Sequence, residues 1–340
     1  MNEALSYDDV LLVPQYSNIK SRSQIDIQSE LGNNIVLKLP IISSPMDTVT
    51  EDQMAVEMYK AGALGIIHRY NSVEEQAQMA ARVLVSNEET TVGAAIGMTG
   101  DFEERALALR AIGVKILCID VAHGHHIMME RCLKTLKDRL GETVHIMAGN
   151  VATEEAFTTL AQWGADSVRV GIGGGSICST RLVSGHGIPT LHSIMECAKS
   201  PTDVKLIADG GLKTSGDMVK ALAAGADFVM VGSLLAGTQE APGDLLSNET
   251  DAQYKIYRGM ASRSAQSDWR EKTSTPEGIS TSVPYKGKVS DVLRDLAGGI
   301  RSGLSYSGAK NLTELRSKSS FIRQSSASQV ESWTHILGRN

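Results

Sequence analysis

VHIMAGNVATEEAFTTLAQWGADSVRVGI, residues 144–172, packs an apolar run, an amphipathic segment and a second apolar run into one short unit. The two runs, VHIMAG (144–149) and SVRVGI (167–172), have the length and near-continuous apolarity of buried strands. Between them TEEAFTTLAQWGA opens on a Thr with two acids behind it, the mark of a helix start. A strand, a crossover helix and a second strand give a parallel pair covered on its outer face.

Outward from this unit the pattern repeats. Upstream lie IISS (41–44), ALGIIH (63–68), VGAAIG (92–97) and KILCID (115–120); downstream lie KLIADG (205–210) and FVMVGS (228–233). Amphipathic segments separate them, among them TEDQMAVEMYKAGA, SVEEQAQMAARVLV, EERALALRAIG and SGDMVKALAAGA. Strands this apolar need helices on the outside of a buried parallel sheet. Eight such strands close a barrel, so the expected class is α/β and the expected fold a (β/α)8 TIM barrel rather than an open doubly wound sheet. One barrel domain is expected over 1–340. The polar, aperiodic stretch 234–288 after the eighth strand is a candidate lid or flap. SDVLRDLAGGIRSG reads as the closing helix, and 318–340 as an extended C-terminal tail.

At 340 residues and 42% hydrophobic content, the chain can bury a barrel-sized core. A net charge of -6 with no lysine/arginine block argues against a nucleic-acid surface, although one local site can still hold a small anion. No apolar run reaches membrane-spanning length, and MNEALSYDDVLL lacks the order of a signal peptide, so a cytoplasmic protein with no membrane partner is expected. Cys118, Cys132, Cys178 and Cys197 form no C-x-x-C pair, which supports neither a disulfide framework nor a cysteine-based zinc site.

Polar residues cluster at the predicted strand ends. Ser44 and Met46 follow the first strand, His68 the second, Asp120 and His123 the fourth, and Asn150 the fifth. Cys178 follows the sixth, Asp209 to Gly211 the seventh, and Gly232 and Ser233 the eighth. Singly each has an ordinary reading, a DGG as a turn or a His123 as a surface histidine; together they would share one rim. The loops ADGG (208–211) and VGS (231–233) stand where barrels hold phosphates on backbone amides. In VRVGIGGGSICSTRLVSGHG (168–187) a lone thiol, Cys178, sits in a glycine loop at a helix start beside Arg181, where ionisation and movement onto a substrate are expected to be easier. Cys118 and Cys132 read instead as small buried apolar residues.

GIGGGSICSTR resembles the catalytic cysteine loop of the inosine monophosphate dehydrogenase and guanosine monophosphate reductase family, with Gly174 where that family commonly has Pro. SYDDVLLVP, ISSPMDTVTE, GALGIIHR, DVAHGH, AGNVAT, ADGG, VGSLLAGTQEAPGD, YRGMAS, PEGIS, VPYKG and GGIRSGLSYSGA match its motifs in order. The resemblance implies that Cys178 attacks C2 of a purine mononucleotide, with Thr180 beside it and Glu277 on the purine ring. It implies that Ser176, Asp209, Gly211, Gly232, Ser233 and Tyr257 hold ribose and phosphate, and that Ser44, Met46, Asn150 and Met260 line the nucleotide pocket. Asp120 and His123 would lie on the nicotinamide-cofactor side. The carbonyls of Gly173, Gly175 and Cys178 match a potassium site of the dehydrogenases, and the family implies a homotetramer.

Three further departures bear on which reaction is expected. The family's regulatory tandem insertion is absent, Ala261 replaces a glycine common in dehydrogenases, and ASRSAQSDWREKTSTP carries no Arg-Tyr pair between Gly259 and Glu277. In the family that flap pair activates the water with which a dehydrogenase hydrolyses its intermediate. Without it the expectation is a GMP reductase, converting GMP to IMP and ammonia with NADPH through Thr180 and Glu277. The alternative is a dehydrogenase oxidising IMP to XMP with NAD, favoured by SPMDTVT, AHGHH, VGSLLAGT and ESWTHIL, with Arg270 standing in for the pair. A catalytically idle purine-nucleotide-binding protein is a third reading, opposed by the intact Cys178, Thr180 and Glu277.

Overall fold

The computed structural model describes residues 3–87, 89–269, 273–332 and 334. Eight parallel strands form a closed barrel: β1 (Ile41–Ser43), β2 (Leu64–Ile67), β3 (Gly93–Ile96), β4 (Ile116–Ile119), β5 (His145–Val151), β6 (Ser167–Val170), β7 (Lys205–Asp209) and β8 (Phe228–Val231). Each pairs with its neighbour in sequence, and β8 closes on β1 through Val229 opposite Ile41. Helices α1 (Asp52–Lys60), α2 (Val73–Leu84), α3 (Phe102–Ala111), α4 (Ile127–Leu140) and α5 (Glu154–Gln162) follow β1 to β5. The short α6 (Thr180–Ser184) and α7 (Thr190–Cys197) follow β6, and α8 (Ser215–Ala223) follows β7. The chain passes from β3 into α3 through a short turn, with no inserted domain.

Local chemistry fixes several helix starts. Ser72 and Glu75 form a reciprocal cap on α2, as do Thr214 and Asp217 on α8, and Thr153 accepts from the Ala156 amide on α5. The start of α1 departs from this pattern: its N-cap, Glu51, makes no side-chain cap bond, and the preceding Thr50 donates its hydroxyl to the Ser44 carbonyl and meets the Ser43 hydroxyl at 2.8 Å.

The strands are buried on both faces, and two cores result. Ile42, Leu64, Ile66, Ile116, Met147, Phe228 and Met230 fill the barrel interior, and Leu31, Ile35 and Leu37 join them from below. Those three belong to a hairpin, Ser29–Gly32 with Ile35–Leu37, whose turn places Asn33 and Asn34 at positive φ, where Asn is tolerated best after Gly. A larger apolar layer lies between strands and helices.

The segment 234–288 is more ordered than its composition suggests. It forms a three-stranded antiparallel sheet, β9 (Leu246–Ser247), β10 (Gln253–Arg258) and β11 (Ser280–Pro284), with α9 (Arg263–Trp269) between the last two strands. Then come α10 (Val289–Tyr306) and α11 (Leu312–Lys318). The expected extended tail is corrected in part: Phe321–Arg323 pairs antiparallel with Val10–Leu12, and Ser326–Glu331 is helical. No helix among the described residues is long and apolar enough to cross a membrane.

Candidate active site

The carboxyl ends of the strands open into a cleft with two lobes. The first, about 240 Å³, is lined by Ser44, Met46, Ser176, Asp209, Gly211, Gly232, Ser233, Tyr257 and Met260, with Cys178, Thr180 and Glu277. The second, about 300 Å³, runs past Arg69, Tyr70, Asp120, Asn150 and Arg169. Cys178 and Thr180 belong to both lobes. A thiol at this junction can meet two different ligands at once.

Burial separates the cysteines. Cys118, Cys132 and Cys197 are buried, and desolvation pushes each thiol up to about 12. Cys178 is exposed, and its thiol donates to the Thr180 hydroxyl at 3.2 Å. Its loop is clipped to the inserted segment. The Ser179 amide donates to the Glu277 carbonyl (2.9 Å) and the Ile279 amide to the Ile177 carbonyl (3.0 Å), so Cys178 and Gly278 face each other as a β-bridge. This pairing sets Glu277 on the wall that also carries Cys178.

Arg181 does not serve the thiol as its position suggested. Its Nη2 donates to the carbonyls of Ile188 (2.6 Å) and Ile172 (3.3 Å), tying the two ends of the cysteine loop together. Its stem packs where a Cβ on Gly173 or Gly187 would stand, which accounts for both glycines. Gly174, the departure from the family's Pro, has an equally local cause: a Cβ there would lie 2.4 Å from Thr190 Oγ1. That hydroxyl is buried with no hydrogen-bond partner among the described residues.

The phosphate-type loops are built from backbone. Gly210 and Gly211 adopt positive φ (93° and 80°) against Gly174 and Gly175, an approach a side chain would obstruct. The amides of Gly211, Leu212, Ser233 and Leu234 donate to no protein acceptor among the described residues. Unpaired amides in such glycine turns can form an anion-binding concavity, and Gly211, Leu212 and Ser233 line the first lobe. Tyr257, buried beside them, has its phenol pushed up by burial, against a hydrogen bond from Ser176.

Arg169 escaped the sequence reading. It is an isolated charge within an apolar strand, and it points into the rim, where Nη1 meets Asp120 Oδ1 (2.8 Å) and Nη2 meets Asp209 Oδ2 (2.9 Å). Burial works against its charge, yet Cys118, Asp209 and Asp120 around it hold the guanidinium well above its ordinary pKa. Asn150 adds an amide donor to the same Asp209 oxygen (2.8 Å). Asn150 therefore lies behind Asp209 in the second lobe rather than on the wall of the first. Asp120 lines the second lobe; His123, further along the same loop, lines neither, its pKa lowered by burial and by His125, His126 and His186. Arg270 lies outside the described residues.

Fold and site together define a (β/α)8 barrel with an exposed thiol where two lobes of one cleft meet. The family model described as "IMP dehydrogenase / GMP reductase domain" matches residues 4–335, and the chain belongs to that family of purine-nucleotide oxidoreductases. The inosine-5'-monophosphate dehydrogenase of Cryptosporidium parvum is 38% identical, covering 98% of this chain and 96% of its own. The GMP reductase of Leishmania major is 33% identical, with 99% and 98% covered. Among solved structures, the GMP reductase of Trypanosoma brucei in complex with guanosine 5'-monophosphate superposes with a TM-score of 0.92 at 32% identity, covering 98% of each chain.

Proposed function

We propose that the protein is a GMP reductase, which converts GMP to IMP and ammonia with a reduced nicotinamide cofactor, NADPH. The observation that carries this reading is the pairing of Cys178 with Thr180 at 3.2 Å on a wall shared with Glu277, in a chain without an Arg-Tyr pair between Gly259 and Glu277. Cys178 forms the bond to C2 of the purine as the 2-amino group leaves. Thr180 and Glu277 deliver the proton that lets it leave as ammonia. A reduced nicotinamide held beside Asn150 and Arg69 in the second lobe would supply the hydride that becomes C2–H of IMP. Cys178 is then released as its bond to C2 breaks.

The first lobe takes the nucleotide, with its phosphate on the free amides and its ribose toward Asp209. The second suits the cofactor. Asn150 Oδ1 and Arg69 Nε are buried there with no hydrogen-bond partner among the described residues, an acceptor and a donor that complement a carboxamide. The carbonyls of Gly173, Gly175 and Cys178 would hold potassium, since neutral oxygens suit a large monovalent cation, and that ion would stiffen the cysteine loop.

Trp269 donates to Asp47 (3.1 Å), and Arg258 links Asp47 with Asp268, so α9 is tied to the barrel. The dehydrogenase reading has its own support in the identity to IMP dehydrogenases. Absorbance at 340 nm with GMP plus NADPH and with IMP plus NAD separates them. Ammonia-releasing consumption of GMP is expected; XMP formation at ordinary enzymatic rates with no turnover of GMP overturns the assignment.

A further inference from the structure

The first lobe presents a charge problem. Asp209 and Glu277 line it, yet no lysine or arginine does among the described residues, although a phosphate dianion would lie within it. Amides alone can solvate an anion, and Arg169 offsets Asp209 from behind, but Glu277 has no ion pair among the described residues and makes the potential an anion must enter more negative.

The nearest remedy lies one peptide behind the wall. Lys286, in VPYKG, turns its Nζ onto the carbonyls of Ser233 (2.6 Å) and Leu234 (3.2 Å). Its own amide is pinned to the Gly237 carbonyl at 2.9 Å. Although the residue is exposed as a whole, its ammonium is desolvated, which lowers its pKa, and no carboxylate pairs with it among the described residues. This cation is committed to the loop after β8. In a planar trans peptide the C=O and N–H point in opposite directions, so the Leu234 amide, sharing a peptide with the Ser233 carbonyl, points away from the ammonium. Hydrogen bonds in series polarise one another, and an ammonium on the carbonyl strengthens the amide as a donor.

We propose that Lys286 is the cation of the phosphate subsite, acting from behind: it holds the Ser233–Leu234 turn and supplies, through that turn, the positive potential that receives the phosphate of a purine mononucleotide. This rests on the reading of the first lobe as the nucleotide site. Lys286 is a positioning residue and touches no reacting atom.

The test compares Lys286→Met and Lys286→Arg with the unmodified full-length protein, titrating GMP and guanosine at one ionic strength. Lys286→Met should weaken GMP about tenfold and leave guanosine unchanged, while Lys286→Arg stays within about threefold of the unmodified protein. In turnover, KM for GMP should rise about tenfold with kcat altered less than about threefold. A purely structural role would lower guanosine and GMP affinity in proportion, and that result overturns the proposal, as does GMP affinity within about twofold in Lys286→Met. If Lys286→Met does not fold, Lys286→Gln is measured against the same expectations. If the unmodified protein binds neither GMP nor IMP more tightly than guanosine, the nucleotide reading itself has failed, and that result is read before any variant.

Discussion

Arg169 and Asp209 form an ion pair, Nη2 to Oδ2 at 2.9 Å, between adjacent strands of the barrel, with the guanidinium almost wholly buried and the carboxylate 16% exposed at the cleft. The same guanidinium holds Asp120, so one side chain neutralises a carboxylate on each lobe. Removing one partner of a buried pair leaves uncompensated charge, which is costlier than the pair's net worth.

Arg169→Leu is therefore expected to destabilise the protein by about 3–5 kcal/mol, measured by urea denaturation. A loss below about 1 kcal/mol would show that Asp120 and Asp209 are solvated without it.

The thiol and the carboxylate should separate in their effects. Cys178→Ala should keep nucleotide affinity and lose turnover by several orders of magnitude, because the phosphate contacts lie elsewhere and the covalent route is gone. Glu277→Gln should lower ammonia release by about 100-fold or more while GMP affinity changes far less, since it removes a proton-transfer group. Single-turnover assays alongside direct titration distinguish the two losses.

The Gly174–Thr190 contact can be tested by a double-mutant cycle. Gly174→Ala should cost about 1–3 kcal/mol by overpacking against Thr190 Oγ1. Thr190→Ala, which removes an unpartnered hydroxyl, should restore most of that in the double variant. Additive losses would mean that the loop, not Thr190, absorbs the new methyl.

His145 gives a pH signature. Burial lowers its pKa to about 4, and Ser167 meets its Nε2 at 2.8 Å. Between its unfolded value near 6.5 and about 4, the unfolded chain binds a proton that the folded one does not, so this group removes stability as pH falls. The loss is complete below about 4 and is on the order of 3 kcal/mol. His145→Gln should flatten the stability profile between those pH values relative to the unmodified protein; parallel profiles would contradict the assignment.

Much of this was legible in the sequence. The eight strands were visible because a parallel barrel buries both faces of each strand, leaving unbroken apolar runs such as ILCI and FVMV. The residues at strand ends were readable because topology puts them on one rim. Arg169 was hidden by that same logic, because a single charge inside SVRV does not declare which way it points. Asn150 was assigned to the nucleotide wall because sequence gives the rim but not the depth behind Asp209. Arg181 misled because proximity in sequence says nothing of which acceptor wins, and two carbonyls held it. The pairing of Val10–Leu12 with Phe321–Arg323 joins three-residue strands from opposite ends of the chain, and no local pattern announces such a contact.

The clip between Ser179 and Glu277 joins residues about a hundred positions apart in the chain, so the inserted segment and the cysteine loop support one another through one short ladder. Exchanging 234–288 between relatives of differing reactivity would transplant half of the nucleophile's support along with the flap. Chimeras that move both pieces together should retain a working thiol, and chimeras that move one should lose it even where every residue in the cleft is unchanged.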